Sequence, residues 1–179
     1  MTDKNHWRTL ERFIEINTPW LTIIGEKLED ERQHILDYWR VEKADSLIIL
    51  TIQNNQIILP NFSYRPGVQK ATLDFPGGRL NQGLSHEIVA SQILERELGI
   101  SSSDIVSLTA LNQVGWPINS SFSNQKLYGF VAEISPYPMI NVERVAKTYS
   151  TTSEGINHLL KDLTCLQCRA VLWEWLAQR

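Results

Sequence analysis

Cysteine is nearly absent from this chain: there are two in 179 residues, Cys165 and Cys168. A disulfide framework is therefore excluded, and no second cysteine pair or histidine is spaced to complete a zinc site with them. Both fall inside HLLKDLTCLQCRAVLWEWL, a run of helical character, whereas a redox pair usually opens a helix just after a strand. The expectation is two small, buried or half-buried thiols on a helix. An excess of positive charge is also missing. Seventeen Lys and Arg against twenty Asp and Glu leave a net charge of −3, which gives no electrostatic reason for nucleic acid or an anionic membrane as partner. Histidine is scarce, and His6, His34 and His158 have no acid or cysteine at ligand spacing. There is no long apolar run, and the opening MTDKNHW is polar. Neither a signal peptide nor a membrane span is expected, and a cytoplasmic protein is.

What is present is ordinary for a globular domain: 42% apolar and 21% charged residues, in a length that suits one domain over residues 1–179. In HWRTLERFIEI the apolar residues Trp7, Leu10, Phe13 and Ile14 have a helical spacing, so a helix is expected over His6 to Ile16. TPWLTIIGEKL and HILDYWRVEKA read as strands. SLIILTI, QNN and QIILP read as a hairpin with a short polar turn. SYRPGVQ reads as a loop, with Pro66-Gly67 marking a turn. SHEIVASQILEREL is a helix: Ser85 suits its N-cap, Glu87 sits in the positive first turn, and Gly99 stops it. SLTALNQVGW and KLYGFVAEI are strands around the loop PINSSFSNQ, and the tail is helical in one or two pieces. Strands and helices mixed in this order suggest an α/β sandwich with a mixed sheet.

The stretch GGRLNQGLSHEIVASQILERELGI, from Gly77 to Ile100, carries more specific information. Taken from Gly78, it has the spacing G-x5-E-x7-R-E-U-x-E-E-x-G-U, where U is a bulky aliphatic. Leu94 takes the inner aliphatic place, Glu97 the last glutamate, and Gly99-Ile100 the closing pair. In this it resembles the Nudix hydrolases. Upstream, SYRPGVQKATLDFPGGRL is similar to a run of the ADP-ribose pyrophosphatase branch, and TPWLTIIGEKL, FSNQKLYGFVAE and the C-terminal tail are similar to later and earlier parts of the same branch. The resemblance implies an α/β/α sandwich with a core over residues 44–179. Residues 1–43 would then supply an N-terminal helix and strands, an element by which that branch often forms homodimers.

The same resemblance implies a site, and the residues depart from it. Where the family has its first glutamate stands Leu84; its R-E pair is Gln92-Ile93 and its E-E pair is Arg96-Glu97. The five charged places therefore carry only Arg96 and Glu97, net zero, where the family pattern carries four acids and one arginine. Magnesium, which the family uses, is a hard cation that takes carboxylate, phosphate and water oxygens, and acids three and four residues apart on a helix make one face of its cage. An isoleucine supplies no ligand and an arginine repels the ion or pairs with a neighbouring acid. The residual metal-ligand set implied by the resemblance is Glu97, the Gly77 carbonyl and Asp74, with Glu97 the remaining catalytic residue. Glu95, about 200° around the helix from Glu97, faces elsewhere. For substrate the resemblance implies Arg65 as an anion clamp, Tyr64 and Trp116 as stacking surfaces, and Gln125 as an amide in the substrate loop. Phe122 is another aromatic near the expected cleft. His86 is expected to be a solvated first-turn residue, and Glu143 and Glu154 have no local motif that fixes a role.

Three functions follow as expectations. The first is a Nudix-fold protein whose hydrolysis is weak or lost and which binds a nucleoside diphosphate derivative such as ADP-ribose. The second is an active magnesium-dependent pyrophosphatase that completes its site with acids outside the box. The third is a partner-binding homodimer without ligand chemistry.

Overall fold

The computed structural model describes residues 7–80 and 83–179. They form two compact units, one of residues 7–44 and 117–126, the other of residues 45–80, 83–116 and 127–179.

The first unit is built on an antiparallel sheet of β1 (Arg8–Asn17), β2 (Thr22–Glu29) and β3 (Ile35–Glu42), in that order. The helix expected over His6 to Ile16 is therefore a strand, and its first residue, His6, lies outside the described residues. The physical reason is visible in the pairing with β2. The register shifts between Thr9 and Glu11 and again between Arg12 and Ile14. Each such bulge inserts an extra residue and breaks the two-residue alternation, so that apolar residues at Trp7, Leu10, Phe13 and Ile14 mimic a helical spacing. Against Gly25 on β2 lies the ring of Phe13: a Cβ there would come within 2.5 Å of its Cε2. Glu26 is buried and holds Arg12 and Arg40 from the flanking strands, with Oε1 accepting from Arg12 Nη2 at 3.0 Å and Oε2 from Arg40 Nε at 2.9 Å. The loop of residues 117–126 is laced to β3 by Val41 N donating to Phe122 O at 2.8 Å and Lys43 N donating to Asn124 Oδ1 at 2.9 Å. Tyr38 Oη also donates to Ser121 O.

The second unit centres on β4 (Ser46–Gln53) and β5 (Gln56–Pro60), the expected hairpin. Its two-residue turn has Asn54 and Asn55 at φ 51° and 58°, the left-handed pair that matches the twist of the strands. The SYRPGVQ segment is not a plain loop but a small hairpin, β6 (Ser63–Arg65) and β7 (Lys70–Thr72). Then come β8 (Gly77–Arg79), helix α1 (His86–Leu98), β9 (Ile105–Ala110), the two-residue β10 (Trp116–Pro117), β11 (Lys126–Ile134) and β12 (Val145–Ser150). Helices α2 (Ser153–Asp162) and α3 (Leu166–Ala177) close the chain.

The large sheet runs β10-β11-β4-β5-β12, with β8 on β4 and β9 on β11. It is mixed: β11 lies parallel to β4, whereas β5, β8, β9 and β12 pair antiparallel. β4 reads SLIILTI because helices cover both its faces. Leu47 and Ile49 pack into the cluster formed by Val89, Ala90, Ile93, Leu94 and Leu98 of α1. The intervening Ile48 and Leu50 are also buried, and α3 packs on β4 and α2 on β12. The α/β sandwich with a mixed sheet is thus the observed architecture.

Helix α1 begins and ends where its capping residues require. Ser85 Oγ accepts from Ile88 N at 3.4 Å, and Gly99 sits at φ 69° with its N–H on Glu95 O at 3.0 Å. Among the described residues no helix is long and apolar enough to cross a membrane.

Candidate functional site

The second unit holds a pocket of about 240 Å³ between the β6–β7 hairpin and the α1 C-terminal turn; its walls include Phe62, Ser63, Arg65, Thr72, Asp74 and Glu97. Three of the residues singled out from the sequence, Arg65, Asp74 and Glu97, meet there. The hairpin brings Arg65 back over the chain two residues beyond β7. Arg65 Nε and Nη2 both reach Asp74 Oδ2, at 2.9 and 2.8 Å, and Thr72 Oγ1 donates to the same oxygen at 2.8 Å. The other carboxylate oxygen, Asp74 Oδ1, is buried and has no hydrogen-bond partner among the described residues. That is a marked asymmetry, because buried polar atoms are almost always paired.

Behind the lining residue Glu97, Gly77, Arg96 and Glu97 form a closed ring. Arg96 Nη2 donates to the Gly77 carbonyl at 3.0 Å and to Glu97 Oε1 at 2.6 Å, while Gly77 N donates to Glu97 Oε2 at 3.3 Å. The ring depends on close approach of β8 to α1. A Cβ on Gly78 would come within 3.1 Å of Ile93 Cδ1 and 3.3 Å of Arg96 Nη2. A guanidinium nitrogen therefore bridges the two groups, Gly77 O and Glu97, that the sequence marks as residual metal ligands. Every group on that pair is already bonded to a cation or to its neighbour.

The rest of the α1 face gives no ligand in compensation. Ile93 is 2% exposed and belongs to the helix–sheet core; Leu84 is an exposed apolar side chain. Glu95 is exposed. The expected set of Glu97, Gly77 O and Asp74 does not fit magnesium: Arg96 holds Gly77 O and Glu97 Oε1, Gly77 N holds Glu97 Oε2, and Arg65 and Thr72 hold Asp74 Oδ2, where the ion needs near-octahedral oxygen ligation.

No protein-family model matches the sequence, and no curated protein matches it either. Solved structures do. Matching chains number 148, among them the crystal structure of an ADP compounds hydrolase, at a TM-score of 0.72 and 18% identity over 97% of this chain and 91% of that one. The chain has the Nudix-type fold.

On this Nudix fold the remaining sequence-derived residues lie apart from the pocket walls. Tyr64, on β6, is 65% exposed and does not line the pocket. Trp116 is half-buried and packs beside Gly129, where a Cβ would meet its Cζ3 at 3.3 Å. Gln125 belongs to the first unit, where Nε2 donates to Ala44 O at 2.9 Å. Phe122 is an exposed residue of that unit's loop. His86 is not a solvated first-turn residue. Its ring lies on Tyr128, centroids 4.2 Å apart, and near Phe130 at 6.5 Å; the half-buried imidazole packs from α1 against the β11 aromatics.

The cysteine reading also changes. The C-terminal tail breaks after Leu163, and Cys165 is the N-cap of α3, with Cys168 in its first turn. The pair opens a helix after all. Arg169 enforces the break, donating through Nη1 to Leu160 O at 2.8 Å and Leu163 O at 2.9 Å, which satisfies the orphan carbonyls at the end of α2. Sequence reasoning passed over Phe62, Ser63 and Thr72 as well. Of these only Thr72 carried a signal, a hydroxyl two residues from Asp74 on the same side of an extended segment.

Proposed function

We propose that this chain is a Nudix-fold binding protein for an anionic ligand of the nucleoside diphosphate class, with metal-dependent hydrolysis weak or lost. The observation that carries the reading is the Arg96 guanidinium on Gly77 O and Glu97. A cation in this position serves a diphosphate without a metal: it is fixed, it is charged at every physiological pH, and it presents further N–H donors beyond those used on Glu97 and Gly77. Arg65 lines the pocket with its fork only partly spent on Asp74. Its guanidinium in the wall, with that of Arg96 held on the lining residue Glu97, suits a phosphate or diphosphate group, and the volume of about 240 Å³ suits that part of a ligand rather than a whole nucleotide. The solved neighbour is an ADP compounds hydrolase, which supports an ADP-type compound as the first ligand to try.

The test is isothermal titration of the purified chain with Mg²⁺ or Mn²⁺, with and without ADP-ribose, and assay of the same samples for AMP. Nucleotide binding without metal uptake or AMP release is the expected result. Metal binding with AMP release would refute it in favour of an active pyrophosphatase using acids outside the box. Silence on every count would leave the partner-binding role.

A homodimer through the N-terminal sheet is part of the proposal. Every residue of β1 is exposed, yet Leu10, Phe13, Ile14 and Ile16 on it, and Trp39 on β3, are large apolar side chains. The Phe13 and Trp39 rings meet with centroids 5.5 Å apart, and exposed apolar side chains on a sheet are the kind of surface a second copy covers. A monomer mass by light scattering would refute it.

A further inference from the structure

The segments around Asp74 and the start of α3 converge on one cluster. A carboxylate oxygen of Asp74 and the sulfurs of Cys165 and Cys168 all lie within 4.8 Å of one another. Both cysteines are free thiols, Cys168 buried and Cys165 half-buried. The backbone N–H of Phe75 donates to Cys168 Sγ at 3.4 Å, which ties the strand segment carrying Asp74 to the first turn of α3. We propose that Asp74, Cys165 and Cys168 form a binding site for one thiophilic divalent cation, zinc by ligand type.

Three observations favour a metal over a plain thiol pair. The first is the orphan oxygen. Asp74 Oδ2 carries two hydrogen bonds, from Arg65 Nε and Thr72 Oγ1, and an ion-pair contact from Arg65 Nη2, while the buried Oδ1 carries no hydrogen bond among the described residues. Coordination uses that oxygen, and the Arg65 and Thr72 bonds on its partner atom orient the carboxylate as outer-shell bonds do in metal sites. The second is composition. Two sulfurs with one carboxylate are a soft-to-borderline set that suits zinc and discriminates against magnesium or calcium. The third is charge. A buried carboxylate beside two sulfurs raises the cost of ionising either thiol, and a dication removes that cost. Three protein ligands leave the fourth tetrahedral place to water or to a ligand. Asp74 also lines the Arg65 pocket. The Cys-x-x-Cys spacing alone could not indicate the site, because its third ligand is 91 residues upstream, at Asp74 against Cys165.

The test needs no activity. The full chain, purified and fully reduced, is titrated with Co²⁺ under nitrogen. Near-ultraviolet sulfur-to-cobalt charge transfer and visible tetrahedral bands should appear, saturate at one ion per chain, and vanish when one equivalent of Zn²⁺ is added. Asp74→Asn and Cys165→Ser, both close to isosteric, should each weaken cobalt binding at least ~10-fold with the circular dichroism of the fold retained. Cys168→Ser is avoided as the sole variant because that side chain is buried in the α3 packing. Wild-type affinity in Asp74→Asn would overturn the site, and so would the absence of a charge-transfer band in the reduced, folded chain. A reduced chain that takes up no cobalt but passes two electrons and two protons to a glutathione disulfide, forming a Cys165–Cys168 bond, would replace the metal site with a dithiol–disulfide pair.

Discussion

Ile93 stands where the family pattern places an acid, and Ile93→Glu asks whether that helix face is still a site or has become core. Ile93 is 2% exposed, packed among Leu47, Ile49 and Phe130, with its Cδ1 against Gly78. Replacing it removes an isoleucine's burial, about 2 kcal/mol. It also places a carboxyl in an apolar pocket. If desolvation lifts that carboxyl above neutrality, keeping it protonated in the folded chain at pH 7 costs about 3–4 kcal/mol relative to the unfolded chain, at roughly 1.4 kcal/mol per pH unit. Arg96, with Nη2 near the same glycine, recovers part of this, about 1–2 kcal/mol. The expected net loss is about 4 kcal/mol, read from urea denaturation at pH 7 with an unchanged m-value. The sign of its pH dependence follows. A carboxyl whose folded pKa is raised binds its proton more tightly folded than unfolded, so the deficit shrinks as the pH falls toward the ordinary carboxylate range and grows above it. A loss under about 1 kcal/mol, or one flat in pH, would mean that position 93 reaches solvent and that α1 keeps an open ligand face. A deficit that Mn²⁺ largely repairs would mean that a carboxylate here still meets a metal.

Four other outcomes test separate parts of the account. Arg96→Ala should leave stability within about 1 kcal/mol, since the Arg96 side chain is 59% exposed and an ion pair with one exposed partner is worth little. It should nevertheless weaken ADP-ribose binding in the titration, and unchanged affinity would remove Arg96 from the site. Arg96→Glu should confer Mn²⁺ binding absent from the wild type, because it exchanges a built-in cation for a second carboxylate beside Glu97 and Gly77 O; no heat of binding would show that Ile93 and Leu84 also block the site. Glu26 is held below the usual carboxylate range first by hydrogen bonds from Arg40 and then by those from Arg12, against burial. Its stabilisation is therefore complete above the unfolded carboxyl pKa and is lost as pH falls through the folded value, so the urea midpoint should drop on acidification and drop less in Glu26→Gln. Gly155→Ala should unfold or severely destabilise the α2 start, since a Cβ there would lie 2.1 Å from Ser150 O; a thermal midpoint within a few degrees of wild type would refute that packing.

Much of the fold was legible because its signals are local. The Asn54-Asn55 turn, the Ser85 cap, the Gly99 stop and the apolar runs of β4 and β5 each state their conformation within a few residues. The failures have a common cause in pairing across the chain. β1 hid behind a helical spacing that its two bulges against β2 produce. β12, VAKTYS, gave no strand signal: two of its residues are exposed and none fully buried, and pairing with β5 makes it a strand. The helix break at Leu163 rests on Arg169 reaching back to two carbonyls, and no residue in TCLQC announces it.

The candidate site was legible in the same partial way. The resemblance put Gly77 and Glu97 together and counted a net charge of zero on the five box positions; it could not show that the Arg96 guanidinium bridges the two. This separates two sets of positions within one motif. Gly78, Leu94, Gly99 and Ile100 answer to packing: a Cβ at 78 would strike Ile93, and Gly99 needs φ 69°. Those positions keep the pattern. Leu84, Ile93 and Arg96 answer to charge, and those depart from it. Arg96 makes the departure self-consistent, because an acid beside a bare carbonyl, with no cation, would leave Glu97 repelled by the Gly77 oxygen. The chain carries its own cation there, and Arg65→Ala and Arg96→Ala together should abolish ADP-ribose binding while either variant alone only weakens it. Full affinity in the double variant would place the ligand elsewhere on the molecule.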